Sequence, residues 1–148
     1  MHFQQLAELY QELEKTSSGN RMREILSDFF KTVPTEDIAV ISYLTLGQIA
    51  SDYDDAVMGM ADKSVLKAIA VAGAVDQSKV SKLMQELGDA GLVAEKVLQK
   101  KPQTLVPLGK LTVKELFETL HKMAASTGAG SQGAKQLLLA AMLQKSSP

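Results

Sequence analysis

A chain of 148 residues, 45% of them hydrophobic, is long enough to bury one core and short for two. It has no cysteine and only two histidines, His2 and His121, which excludes disulfides and thiolate metal sites and leaves too few ligands for an ordinary histidine-based metal site. The formal net charge of −1 hides a polarity: residues 1–95 carry 8 Lys/Arg against 15 Asp/Glu, a net of −7, and residues 96–148 carry 8 Lys against 2 Glu, a net of +6.

Helical periodicity begins at once. Phe3, Leu6, Tyr10 and Leu13 recur at spacings of three and four, which predicts a first helix ending near Lys15. Thr16, Ser17, Ser18 and Gly19 form a turn that offers a cap to a second helix, with Met22, Ile25, Leu26, Phe29 and Phe30 on its buried face and Pro34 closing it. Thr35 is placed to cap a third, with Ile38, Ile41, Leu44 and Ile49 inward, before an acidic loop at Ser51 to Asp55. The stretch from Asp62 to Val75 is rich in Ala, Val, Leu and Ile, with Lys63 and Lys67 marking one wet edge, so it reads as a largely buried helix at the centre of the core. After Asp76, Val80, Leu83, Met84 and Leu87 are followed by Gly88 and Gly91 and then by Leu92 to Leu98: two short helices or one broken one.

Lys100, Lys101, Pro102 and Pro107 mark an extended linker, and Gln103 to Leu108 is the one segment read as a short strand. Thr112-Val113-Lys114-Glu115 is a capping box that opens a helix with Leu116, Leu120 and Met123 inward and Phe117 beside them. Ser126-Thr127-Gly128-Ala129-Gly130 ends that helix, and Ser131 is placed to cap a last one, Gln132 to Lys145. The expected fold is all-α, a single compact multi-helix domain. No run approaches the roughly 18 apolar residues that span a bilayer, and the N-terminus lacks a continuous apolar signal region, so a cytoplasmic protein is expected.

The search for chemistry excludes more than it finds. Gly128-Ala-Gly130-Ser-Gln-Gly133 satisfies Gly-x-Gly-x-x-Gly, but a helix precedes it where a dinucleotide site needs a strand. Read as a phosphate loop, the same stretch has Ala134 between Gly133 and Lys135, and no Ser or Thr follows the lysine. Asp54 and Asp55 read as solvated loop charges, and His121 as a surface residue, since the sequence identifies no group that would orient it for catalysis. What remains is a glycine-rich turn leading into a helix N-terminus in the basic part of the chain. Backbone N–H groups from Ser131 to Ala134, the positive end of the helix dipole and Lys135 one turn inside would together hold a phosphate. The same residues also describe an ordinary helix end followed by a capped helix start. The charge polarity is open in the same way: an anionic partner such as nucleic acid, or lysines spread over solvated faces.

Four stretches, in order, carry a resemblance: Leu6-Ala-Glu-Leu-Tyr10 through Leu13-Glu-Lys-Thr16, Tyr43-Leu-Thr-Leu-Gly47, Gly59 through Leu66-Lys-Ala-Ile69, and Gly128-Ala-Gly-Ser-Gln132 with Lys135. They resemble the N-terminal DNA-binding region of archaeal ATP-dependent DNA ligases and its eukaryotic counterpart, over essentially the whole of residues 1–148. The resemblance implies an all-helical domain that grips the sugar-phosphate backbone of nicked duplex DNA, mainly over the minor groove, in a ligase of replication, repair and recombination. It also implies that Gly128, Gly130, Ser131, Gln132 and Lys135 make the backbone contacts. The partners expected are nicked duplex DNA and the adenylation and OB domains of a parent ligase, with no membrane. No cofactor is expected in this chain, ATP and magnesium belonging to the parent's catalytic part. Because family members continue with another Gly-rich, basic helix-loop of the same domain, 1–148 is expected to be truncated at its C-terminal end. The acidic N-terminal portion is expected to face away from DNA. A helical protein–protein adaptor, using Met58-Gly59-Met60 and Leu137 to Met142 as an apolar groove, is the alternative function.

The ligase family takes AMP on the lysine of a Lys-x-Asp-Gly motif, and no lysine here is followed by x-Asp-Gly. Incubated with ATP and magnesium, the chain is therefore expected to gain no covalent AMP and to seal no nick. Intact-mass measurement checks this, and a stable lysyl adduct would contradict it.

Overall fold

The computed structural model describes residues 1–50, 58–99 and 109–146. Among them are eight α-helices and no strand: α1 (Phe3–Glu14), α2 (Gly19–Phe30), α3 (Ile38–Thr45), α4 (Asp62–Gly73), α5 (Gln77–Leu87), α6 (Ala90–Leu98), α7 (Val113–Ala125) and α8 (Ser131–Lys145). The all-α architecture expected from periodicity is the one observed. The acidic loop at Ser51 to Asp55, with the Asp54 and Asp55 pair, and the strand at Gln103 to Leu108 lie outside the described residues, as do Lys100, Lys101 and Pro102.

The chain forms two compact units, the first within Met1–Asp55 and Leu111–Glu118, the second within Ala56–Lys110 and Thr119–Pro148. Each has its own core. In the first, Leu6 and Leu9 of α1 meet Ile25 of α2, Val33, Ile41 of α3 and Val113 at the start of α7. Ser18 caps α2, its hydroxyl accepting from the Arg21 N–H, so the Ser-rich turn does what its composition foretells. A 3-10 turn, Thr35–Asp37, precedes α3. Its tighter winding shifts the phase of the apolar pattern: Asp37 is buried, paired with the Met1 ammonium at 2.6 Å, while Ile38, expected inward, is 39% exposed. The helix itself ends at Thr45, and Gly47 turns the chain in the left-handed region at φ +72°, so Ile49 lies beyond it. Two backbone bonds, Phe3 N–H to Leu111 O and Val113 N–H to Met1 O, lay the chain start beside the entry to α7, an isolated bridge with no sequence signal.

The second unit is built on α4. Ala68, Ile69, Ala70 and Ala72 pack with Val80 of α5, Val93, Ala94, Val97 and Leu98 of α6 and Ala140 of α8. Small residues let neighbours come close: a Cβ on Gly73 would overlap Val97 Cγ1. Gly88 ends α5 at φ +72° and Asp89 caps α6 through the Leu92 N–H at 2.9 Å, so the broken run is two helices. Thr112 Oγ1 accepts from the Glu115 N–H at 3.1 Å, as the capping box requires. Among the described residues no helix is long and apolar enough to cross a membrane.

Two adjacent substitutions should act in opposite directions. Gly73→Ala raises helix propensity yet drives a methyl group into a buried, β-branched and therefore stiff valine, and is expected to cost about 1–3 kcal/mol. Ala74→Gly is expected to stabilise by about 0.5 kcal/mol, because Ala74 holds φ +50° and pays the left-handed penalty, part of which glycine returns through its freer unfolded chain. Urea unfolding of both measures the signs; a Gly73→Ala protein as stable as the parent would contradict the close approach of α4 and α6.

Candidate nucleic-acid interface

The glycine-rich turn between α7 and α8 is open to solvent. Gly128, Ala129 and Gly130 are all exposed, and both glycines sit at φ +85°, a conformation that side chains rarely adopt. Adding a Cβ to Gly128, Gly130 or Gly133 would meet nothing. At Gly128 and Gly130 the turn thus presents bare backbone to solvent.

The cap of α8 differs from the expected one. Gly130, not Ser131, is the N-cap, and Ser131 is the first helical residue, its own N–H directed to Gly128 O at 3.3 Å. Glycine offers no side-chain oxygen, so no side chain caps the helix and no acidic residue stands in its first turn. Gln132 and Gly133, both exposed, carry N–H groups at the positive end of the α8 dipole. An anion supplied from outside is the natural partner of such an end.

The two longer side chains of the expected contact set are turned elsewhere. Gln132 Nε2 donates to Gly59 O at 2.8 Å, and its Oε1 accepts from the Ser64 hydroxyl at 3.3 Å. Lys135 is only 5% exposed and its Nζ donates to Met58 O at 2.7 Å. Its ammonium is turned to a carbonyl of the same unit rather than out toward the turn. Met58 and Gly59, read from the sequence as part of an adaptor groove, and Ser64, within the family-like stretch, meet α8 here, a contact that sequence reasoning missed. The available signal was Gly59, which turns at φ +55° just ahead of α4.

Around this turn α4 presents the exposed Lys63 and Lys67 four residues apart, hence on one face. Asp62 in the first turn of α4 already answers that helix's dipole. The stretches read as an adaptor groove are less open than expected: Met58 and Met60 are half-buried, Ala140 and Met142 buried, and Leu137, 65% exposed, stands out on α8.

The first unit holds a groove of about 390 Å³ between α1 and α2, whose rim includes Glu8, Glu12 and Asp28 with Arg21 and whose floor includes Leu9 and Ile25. Hydrogen bonding to the Lys31 ammonium at 2.7 Å, with its charge, holds the Asp28 carboxyl below the ordinary aspartate value. Among the described residues no group of three or more His, Asp or Glu side chains is placed to hold a metal ion.

A protein-family model described as DNA ligase N terminus matches residues 2–148. Similar proteins include a DNA ligase of Thermococcus fumicolans, 32% identical over 148 residues, which are 100% of this chain and 26% of that protein. DNA ligase 2 of Korarchaeum cryptofilum is 34% identical over 148 residues, 100% of this chain and 25% of its own length. A probable DNA ligase of Dictyoglomus turgidum reaches 38% over 148 residues, 100% of this chain and 24% of its length. The chain thus spans about a quarter of the length of these curated relatives.

Proposed function

The chain belongs to the DNA ligase N-terminus family, and on that premise we propose that it binds nicked duplex DNA through backbone phosphates, without reading base sequence. It does so as the N-terminal DNA-binding part of an ATP-dependent ligase that seals nicks in replication and repair. The observation that carries this reading is the uncapped, acid-free N-terminus of α8 behind three exposed residues, Gly128, Ala129 and Gly130. Phosphate oxygens are the anions DNA offers everywhere along both strands, and hydrogen bonds to them position a protein without specifying sequence.

In this reading Gly128 and Gly130 let the strand approach to backbone distance, and the N–H groups of Gln132 and Gly133 donate to a phosphate. Ser131, half-buried at the first helical position, adds its hydroxyl. Lys135 supports the turn from beneath through the Met58 carbonyl. Lys63 and Lys67 extend the positive surface along α4. On the α1 and α2 surface the exposed Lys15, Arg21, Arg23 and Lys31 face as many exposed acids and more, Glu8, Glu12, Glu14, Glu24 and Asp28, with Arg21 and Lys31 already in ion pairs, so it is the less favourable surface for phosphate. ATP and magnesium act in the adenylation and OB domains of the parent ligase, which transfer AMP to the 5′-phosphate; this chain's task is to hold the nick.

Gly133→Glu separates binding from folding because its two effects have opposite sign. A glutamate in the first turn complements the dipole and replaces a glycine that has open space around it, so stability is expected to rise by about 1 kcal/mol. The same carboxylate repels phosphate, and affinity for a nicked duplex is expected to fall at least about tenfold near 50 mM salt, equally for unrelated sequences. Thermal melting and fluorescence anisotropy give both numbers. Unchanged affinity in a stabilised Gly133→Glu protein would sink the reading.

A further inference from the structure

A buried ammonium is costly, and a methionine would fill the same volume beneath the first turn of α8 without desolvating a charge. Lys135 nevertheless lies there, donating to Met58 O, and one turn earlier Gln132 donates to the next carbonyl, Gly59 O. Two successive peptide groups of the turn before α4 are thus held by two side chains of α8. A trans peptide sets its N–H opposite to its C=O. With both carbonyls drawn to α8, the N–H groups of Gly59 and Met60 point away from it. Gly59, at φ +55°, is the residue whose conformational freedom would otherwise let these peptides flip.

We infer that Lys135 is a positioning residue and not a phosphate contact: together with Gln132 it locks the Met58–Met60 turn onto α8, so that the turn and the α8 N-terminus present one pre-ordered surface to the DNA backbone. The inference rests on the DNA-binding reading above. It deepens that reading by moving the positive charge expected at the phosphate into the scaffold. A pre-ordered turn pays its ordering entropy at folding, where a loose one pays it at binding.

The test uses the 148-residue chain with Lys135→Met, which keeps the volume and removes the donor, and with Gln132→Ala, which removes the second tie from an exposed position and serves if Lys135→Met does not fold. Amide order parameters at Gly59 and Met60 are expected to fall from about 0.85 to below about 0.6. Affinity for a nicked duplex is expected to drop about tenfold, the cost of ordering roughly one residue at binding. The slope of log affinity against log salt should stay that of the parent. A slope reduced by about 0.9 with the turn still rigid would make Lys135 a direct contact and overturn the inference. So would a loosened turn with unchanged affinity, since the tie would then serve folding alone, or a turn that stays rigid. If the parent chain binds no duplex, the DNA reading falls, and the order parameters still decide whether the lock exists.

Discussion

The second unit depends on the smallness of the residues that α4 turns inward. Ala68, Ala70, Ala72 and Gly73 leave so little side chain that α5, α6 and α8 can all close on one short helix, and Val97 sits where a single added methyl group would go. Close-packed interiors tolerate such approach only where the facing side chains fit, so the position of α8 is fixed by α4 and not by its own amphipathicity. Leu137 and Ala141 on the outer side of α8 are exposed, whereas Ala140 and Met142 are buried. Position therefore comes from shape, and the turn that opens α8 inherits that position.

From this follows the division of labour at the turn. Most residues that touch solvent there are glycines and small residues, which contribute backbone; the reach of Gln132, itself exposed, and of buried Lys135 is used on the Gly59 and Met58 carbonyls. A surface made of peptide N–H groups suits a partner that offers the same phosphate at every step and whose base sequence is to be ignored. Such a surface is compatible with the proposed role in so near-neutral a chain. The acidic residues of α1 and α2 belong to the other unit with its own core, and the attraction is local to a helix end and a few lysines.

Much of the fold was legible because its signals are local. The turn from Thr16 to Gly19, the break at Gly88 and the Thr112 capping box each announced a helix boundary within a few residues, and the structure forms all three, with Ser18, Asp89 and Thr112 supplying the caps. The register of α3 was not legible, because the 3-10 turn at Thr35 goes together with Asp37 buried against the Met1 ammonium, a contact 36 residues away in sequence. The N-cap of α8 was misplaced by one residue since Ser131 has the better capping side chain, whereas Gly130 has the freedom to hold φ +85°. The candidate site was found by its glycines, which is a backbone signal. Its inner half was missed because nothing in a lysine's neighbours says that its ammonium will be buried; that is decided by a carbonyl 77 residues away.

The account stands or falls on which amides meet the DNA. Titrating the isotope-labelled chain with a nicked duplex and following backbone amide shifts at low and at moderate salt tests it directly. The predicted result is a set of salt-sensitive shifts concentrated at Gly128 to Ala134 and at Gly59 to Lys63, with the amides of α1 and α2 unmoved. Shifts centred on the groove between α1 and α2, or spread evenly over every lysine-bearing helix, would contradict it.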